Sequence, residues 1–132
     1  MEVNNIRSIL SNKFHEAQAI MNKKEKVLNI VSQGIKATAS TPWAKKYKKD
    51  IELMGIMIAD YIKKDYPYLN QSTIVIAISA LLYIISPINK ITDKIPFLRD
   101  IDNIAVITFA LHAIREELKT YKLWLNTKNL RK

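Results

Sequence analysis

"LLYIISPINKITDKIPFLRDIDNIAV", residues 81–106, decides how this chain folds: two apolar runs flank a short stretch dense in proline, lysine and aspartate. The first run reaches back to residue 74 as IVIAISALLYII, and the second continues as IAVITFAL to residue 111. Both are apolar on nearly every side of a helical wheel, and such a helix has to be surrounded. The pattern therefore predicts a helix over 70–85 and another from about Asp100. Together they form a central apolar hairpin wrapped by the rest of the chain. Pro87 ends the first arm, because proline has no amide hydrogen and its ring clashes with the preceding turn.

Neither arm reads well as a membrane span, which takes about 20 predominantly apolar residues. The uninterrupted core of the first covers only 74–85, bounded by Asn70, Gln71 and Ser72 before it and by Asn89 and Lys90 after it. The second offers 104–111 before it meets His112, Arg115 and Glu116. A hairpin buried by the other helices is the favoured reading, and a membrane-inserted hairpin is its rival.

Elsewhere apolar residues recur at i, i+3 and i+4 with no sustained alternation, so the expected class is all-α. A helix over 4–21 presents Ile6, Ile9, Leu10, Phe14, Ala17, Ile20 and Met21 on one face. A second, from Asn22 or Lys23 to Ala39, presents Val27, Leu28, Val31 and Ile35, with Asn22 and Glu25 spaced as a reciprocal cap. Thr41 and Pro42 open a third, whose stripe is Trp43, Tyr47, Ile51, Met54, Ile58 and Ile62, and Tyr66, Pro67 and Tyr68 end it. Gly55 in its middle implies close packing against a neighbour, since glycine there otherwise costs about 1 kcal/mol relative to alanine. The last helix turns amphipathic after Arg115 through Leu118, Tyr121, Trp124 and Leu125. The expected architecture is a single-domain bundle, residues 1–132, of about five helices.

A chain of 132 residues with no cysteine needs its own core, and it excludes a disulfide framework, a thiolate metal site and a cysteine nucleophile. Residues 1–18 lack the basic start and continuous apolar stretch of a secretory signal, so a cytoplasmic protein is expected, at its furthest on the inner face of the membrane. The net charge is +9, spread along the chain, with local concentrations at Lys45, Lys46, Lys48 and Lys49 and from Lys119 through Lys122 to Lys132. Such a surface attracts an acidic protein, anionic lipid or nucleic acid, and the alternative is a solvated lysine face that serves solubility alone. Nucleic acid ranks last, because no recognition-helix or stacking signature accompanies the charge. The expected partner is another protein or an anionic membrane surface. In size, charge and helicity the chain is comparable to the small immunity proteins of bacteria, which act by occupying a partner.

Catalysis is not expected, and neither is a cofactor. The two histidines, His15 on the surface and His112 at the edge of the buried stripe, are too isolated in sequence for a metal triad or a nucleophile–base pair. The two glycines, Gly34 and Gly55, build no phosphate loop. Glu116 and Glu117 are adjacent and so point in different directions from a helix.

The segment ALLYIISPINKITDKIPFLRDIDNIAVITFAL, residues 80–111, resembles the signature of the YkvA-like family, small bacterial proteins with a domain of unknown function. Ser86, Pro87, Ile88, Ile91, Asp93, Ile95, Pro96 and Asp102 match, EELKTYKLW continues the pattern, and the resemblance is densest over 70–124. Asn89 stands for the usual aspartate, Thr92 for a proline, Asn103 for the second aspartate of a pair, and Arg99 near the expected glycine, which marks a divergent member. The resemblance implies a helical domain, an often suspected association with membranes, and no assigned activity.

A reversal between two buried helices leaves four carbonyls and four amides without intrahelical partners. Ser86, Asn89, Thr92 and Asp93, with Asp100, Asp102 and Asn103 at the start of the next helix, are read as caps and dipole partners. Pro87 and Pro96 hold the backbone out of helix. The rival is a hard cation on Asp93, Asp100 and Asp102. No calcium-loop spacing is present and Lys90, Lys94 and Arg99 intervene, so no metal is expected.

Overall fold

The computed structural model describes residues 13–85 and 96–130, and every regular element in them is helical. A helix over 13–20 (α1) is followed by α2 (Lys24–Ser40), a 3-10 turn (Pro42–Tyr47), α3 (Lys48–Ile62), α4 (Gln71–Ile85), α5 (Pro96–Ala113) and α6 (Arg115–Leu130). The all-α class follows the apolar periodicity. Several boundaries depart from it, each for a local reason.

A turn at Met21 and Asn22 separates α1 from α2, with the Lys23 amide donating to the Ile20 carbonyl at 2.8 Å. The cap position of α2 belongs to Lys23 and has no side-chain hydrogen bond. Asn22 therefore sits one residue too early to form the expected cap with Glu25. Thr41 and Pro42 open the tighter 3-10 turn instead of α-helix, and Thr41 makes no side-chain cap. Three residues per turn set i and i+3 on one side. Ala44 is thereby buried and Tyr47 half-buried before α3 begins at Lys48.

α3 ends at a left-handed residue, Lys64, with φ of 68°. The Asp65 amide donates to the Asp60 carbonyl at 2.9 Å and the Lys64 amide to the Tyr61 carbonyl at 3.0 Å, which together make a Schellman closure. Asn70 then starts α4: its side-chain oxygen accepts the Thr73 amide at 2.9 Å, satisfying one of the orphan donors.

Pro96 is the first residue of α5, so it opens a helix where exclusion from helix was expected. Proline is tolerated there because that amide has no intrahelical partner. Asp100, Asp102 and Asn103 are consequently the fifth, seventh and eighth residues of α5 and lie inside the helix, not at its cap. Ser86, Pro87, Asn89, Thr92 and Asp93 fall outside the described residues, as does the expected start of the first helix. The last helix is not continuous: Ile114 forms a turn between α5 and α6, where the pattern changes from apolar to amphipathic.

α4 is the helix at the centre. Thr73, Ile74, Val75 and every residue from 77 to 84 are buried, enclosed by α2, α3 and α5. The fully buried Ser79 hydroxyl is satisfied within the helix, donating to the Val75 carbonyl at 2.6 Å. α5 is different. Val106, Ile107 and Ala110 are buried, but Ile104, Ala105, Phe109 and Leu111 are half-buried and Thr108 faces solvent. The second apolar arm thus lies on the flank, while α2 does much of the enclosing. Glycines let α2 come close: a methyl on Gly34 would stand 2.6 Å from Leu81 of α4, and one on Gly55 of α3 would stand 3.1 Å from Ile35 of α2. The close packing expected at Gly55 is therefore observed.

Candidate interaction surface

Lys45 and Lys46 project from the 3-10 turn and Lys48 and Lys49 from the first turn of α3, and all four are exposed. Buried Ala44 anchors the turn from below. On its flank the Thr108 hydroxyl of α5 donates to the Tyr47 hydroxyl at 3.4 Å. Lys46 lies 5.8 Å from the Tyr47 ring centroid, within cation–π range. Lys48 pairs with Glu52 at 3.9 Å, an open contact that holds little energy.

The second lysine group is elsewhere. Lys119 and Lys122 are exposed on α6, and Tyr121 beside them hydrogen-bonds Asp60 near the far end of α3. At 1.5 Å per residue, Lys48 and Asp60 are about 18 Å apart along the helix axis. The lysines therefore form two groups at opposite ends of α3 and not one patch.

That far end is aromatic. The Tyr66 ring meets Tyr68 at 5.2 Å, Tyr121 at 4.9 Å and Trp124 at 4.8 Å, edge-on or tilted, and Lys128 lies 5.1 Å from the Trp124 centroid. Tyr121 is fully buried and donates to Asp60 at 2.5 Å. Burial first, then the hydrogen bond and the charge of Asp60, push its phenol far above the ordinary tyrosine range. Burial, with a smaller contribution from Tyr68, raises Tyr66 as well. Of the aromatic side chains on these elements, Tyr66 and Tyr121 are core, Tyr47, Tyr61 and Trp124 are half-buried, and Tyr68 is 74% exposed.

The start of α4 joins this end through a polar contact: Thr73, almost fully buried, approaches Glu117 of α6 at 3.3 Å as well as Asn70 at 2.9 Å. On the opposite side of α4, a groove of about 570 Å³ runs between α1 and the first turns of α4 over Phe14, Met21, Val75 and Ile76, with Gln18, Gln71 and Ser72 also lining it. It had no counterpart in the sequence reading.

Among the described residues, no three histidine, cysteine or carboxylate side chains come together as a metal set. Of the candidate cation ligands, Asp93 lies outside those residues and Asp100 and Asp102 are placed by their backbone alone. His15 is exposed as expected, and His112 is also exposed, not at the edge of a buried stripe. Among the described residues, no helix is long and apolar enough to cross a membrane.

Against known proteins, the model of the family "Protein of unknown function (DUF1232)" matches residues 73–109, from the first turn of α4 into α5. The chain is also similar to the "Uncharacterized membrane protein YkvA" of Bacillus subtilis (strain 168), 32% identical over 102 residues that make up 77% of this chain and 96% of that protein. No solved structure matches significantly.

Proposed function

This chain belongs to the YkvA-like, DUF1232 family, and we propose that it is a non-catalytic binding protein that sits peripherally on an anionic membrane surface. The observation that carries this reading is the set of four exposed lysines within five residues, Lys45 to Lys49, where the 3-10 turn anchored by buried Ala44 runs into α3. Their backbone is already ordered, so binding gives up little conformational freedom there. Each lysine held near an anionic leaflet contributes about 1 kcal/mol, and the attraction fades within a Debye length. The naming of the Bacillus subtilis relative as a membrane protein supports this reading. The lack of a spanning-length helix among the described residues favours a surface position over insertion. In this reading α4 and α5 are scaffold, and the inner leaflet, where anionic lipid is richest, is the side the protein meets.

Cosedimentation with vesicles tests it. The protein should sediment with phosphatidylglycerol-containing vesicles at low salt, ignore pure phosphatidylcholine, and be released at about 1 M salt, where screening acts within about 3 Å. Protein that stays in the supernatant with anionic vesicles at low salt overturns the reading.

The exposure of Tyr68, 74% and edge-on to Tyr66, favours a second reading in which a protein partner docks on the aromatic end. There a stable complex captured by pull-down should weaken on Tyr68→Ala. An unchanged complex would remove that surface from consideration.

A further inference from the structure

The outward face of α3 has a pattern that the lysine turn alone does not explain. Lys49, Ile56 and Lys63 follow one another at seven-residue intervals, and all three are exposed. Seven residues are nearly two turns, so the three share one azimuth to within about 20° per step. Ile56 is 44% exposed and projects away from the core that holds Ile51 and Ile58. Half-buried Leu53 and Ala59 sit three residues to either side of it. A lone exposed isoleucine needs no explanation. One centred between lysine pairs, Lys48 and Lys49 at one end and Lys63 and Lys64 at the other, has the layout of a helix lying in an interface.

We infer that α3 lies lengthwise on an anionic phospholipid bilayer, with Ile56 entering the headgroup layer and the lysine pairs at both ends reaching the phosphates. This rests on the surface-binding reading above and specifies which face does the binding. The two ends are about 21 Å apart, from Lys49 to Lys63 at 1.5 Å per residue. The long lysine stems let the charges spread to headgroups while the apolar middle goes deeper. Of the two acids on this side of α3, Asp60 is engaged by the Tyr121 hydroxyl, and Glu52 meets Lys48 only in an open, weak contact that a lipid phosphate can replace. At the Lys63 end, Tyr68 and the Trp124–Lys128 pair add the aromatic and basic groups that favour headgroup depth. The Schellman closure holds Lys63 and Lys64 in place.

The chain has no cysteine, so Ile56→Cys carries a polarity-sensitive fluorophore at a single position, with Ser32→Cys, exposed on α2, as the control. On adding vesicles of equal phosphatidylglycerol and phosphatidylcholine, emission from position 56 should shift to the blue and that from position 32 should not. Replacing Lys63→Gln together with Lys64→Asn, which tolerates the left-handed backbone, should weaken partitioning about 30-fold. Sedimentation of the unlabelled protein with vesicles, combined with an unchanged probe at 56, overturns the orientation and leaves surface binding standing. A blue shift at both positions also overturns it, because it reports loss of the fold at the lipid. No sedimentation of the unlabelled protein overturns both.

Discussion

Gly34→Ala and Gly55→Ala are the same chemical change in two helices of this bundle, yet the packing assigns them different costs. At Gly34 the added methyl would stand 2.6 Å from Leu81 Cδ2, 3.3 Å from its Cβ and 3.4 Å from its Cγ. Leu81 is fully buried in the central helix, so moving its Cδ2 aside means pressing on packed neighbours and not on solvent. Overpacking a filled core costs about 1–3 kcal/mol, and alanine returns about 1 kcal/mol in helix propensity. The net expectation is a loss of up to about 2 kcal/mol. At Gly55 the nearest atoms are the Ile35 Cδ1 at 3.1 Å and the Val31 Cγ1 at 3.3 Å. The former is the tip of a half-buried side chain that can yield a few tenths of an ångström. There the propensity gain should equal or exceed the strain. Urea unfolding followed by circular dichroism should therefore place Gly34→Ala below Gly55→Ala, by up to about 3 kcal/mol. Trimming Leu81→Val should reduce the penalty at Gly34, because the two positions are in contact. Equal stability of the two alanine variants, or no relief from Leu81→Val, would refute the reasoning.

Three further outcomes are expected. Asn70→Ala removes the side-chain acceptor of the Thr73 amide and should cost about 1 kcal/mol, whereas Asn70→Asp should fold as stably as the parent; thermal melts compare them. Lys64→Gly relieves a left-handed conformation that costs a non-glycine residue about 1–2 kcal/mol, part of which glycine gives back as unfolded-state entropy, so the urea midpoint should rise modestly. The phenols of Tyr121 and Tyr66 hold their protons more tightly folded than unfolded. Their contribution to stability should therefore be fully present below about pH 10 and be lost as the pH rises through the folded-state values, with a slope of up to about 1.4 kcal/mol per pH unit for the strongly raised Tyr121. Tyr121→Phe should flatten that decline, and an unchanged slope in denaturation measured across this range would refute the assignment.

Helical class was legible because apolar periodicity is a local property of the chain. The burial of α4 was equally legible, since a segment apolar on every side has nowhere stable to be except inside. The same rule overreached for α5, where the exposed Thr108 and the half-buried Phe109 show a helix on the flank. Its residues are hardly less apolar, but α5 packs mainly against α4 and the 3-10 turn, and these cover only one side of it. Pro96 illustrates a related ambiguity, because one ring both forbids helix before it and favours helix after it.

The surface shows the same division. Which lysines are exposed followed from their spacing, and the crowding of Lys45 to Lys49 is written in consecutive residues. That Lys119 and Lys122 fall at the other end of α3 was decided by the hydrogen bond between Asp60 and Tyr121 and by the rings of Tyr66 and Trp124. Those pairs are about sixty residues apart, and closing so long a loop leaves no local signature in the sequence. Local periodicity thus determined the helices and the centre of the core. Contacts between distant residues decided which faces remained outside, because exposure belongs to the neighbours a residue meets and not to the residue alone.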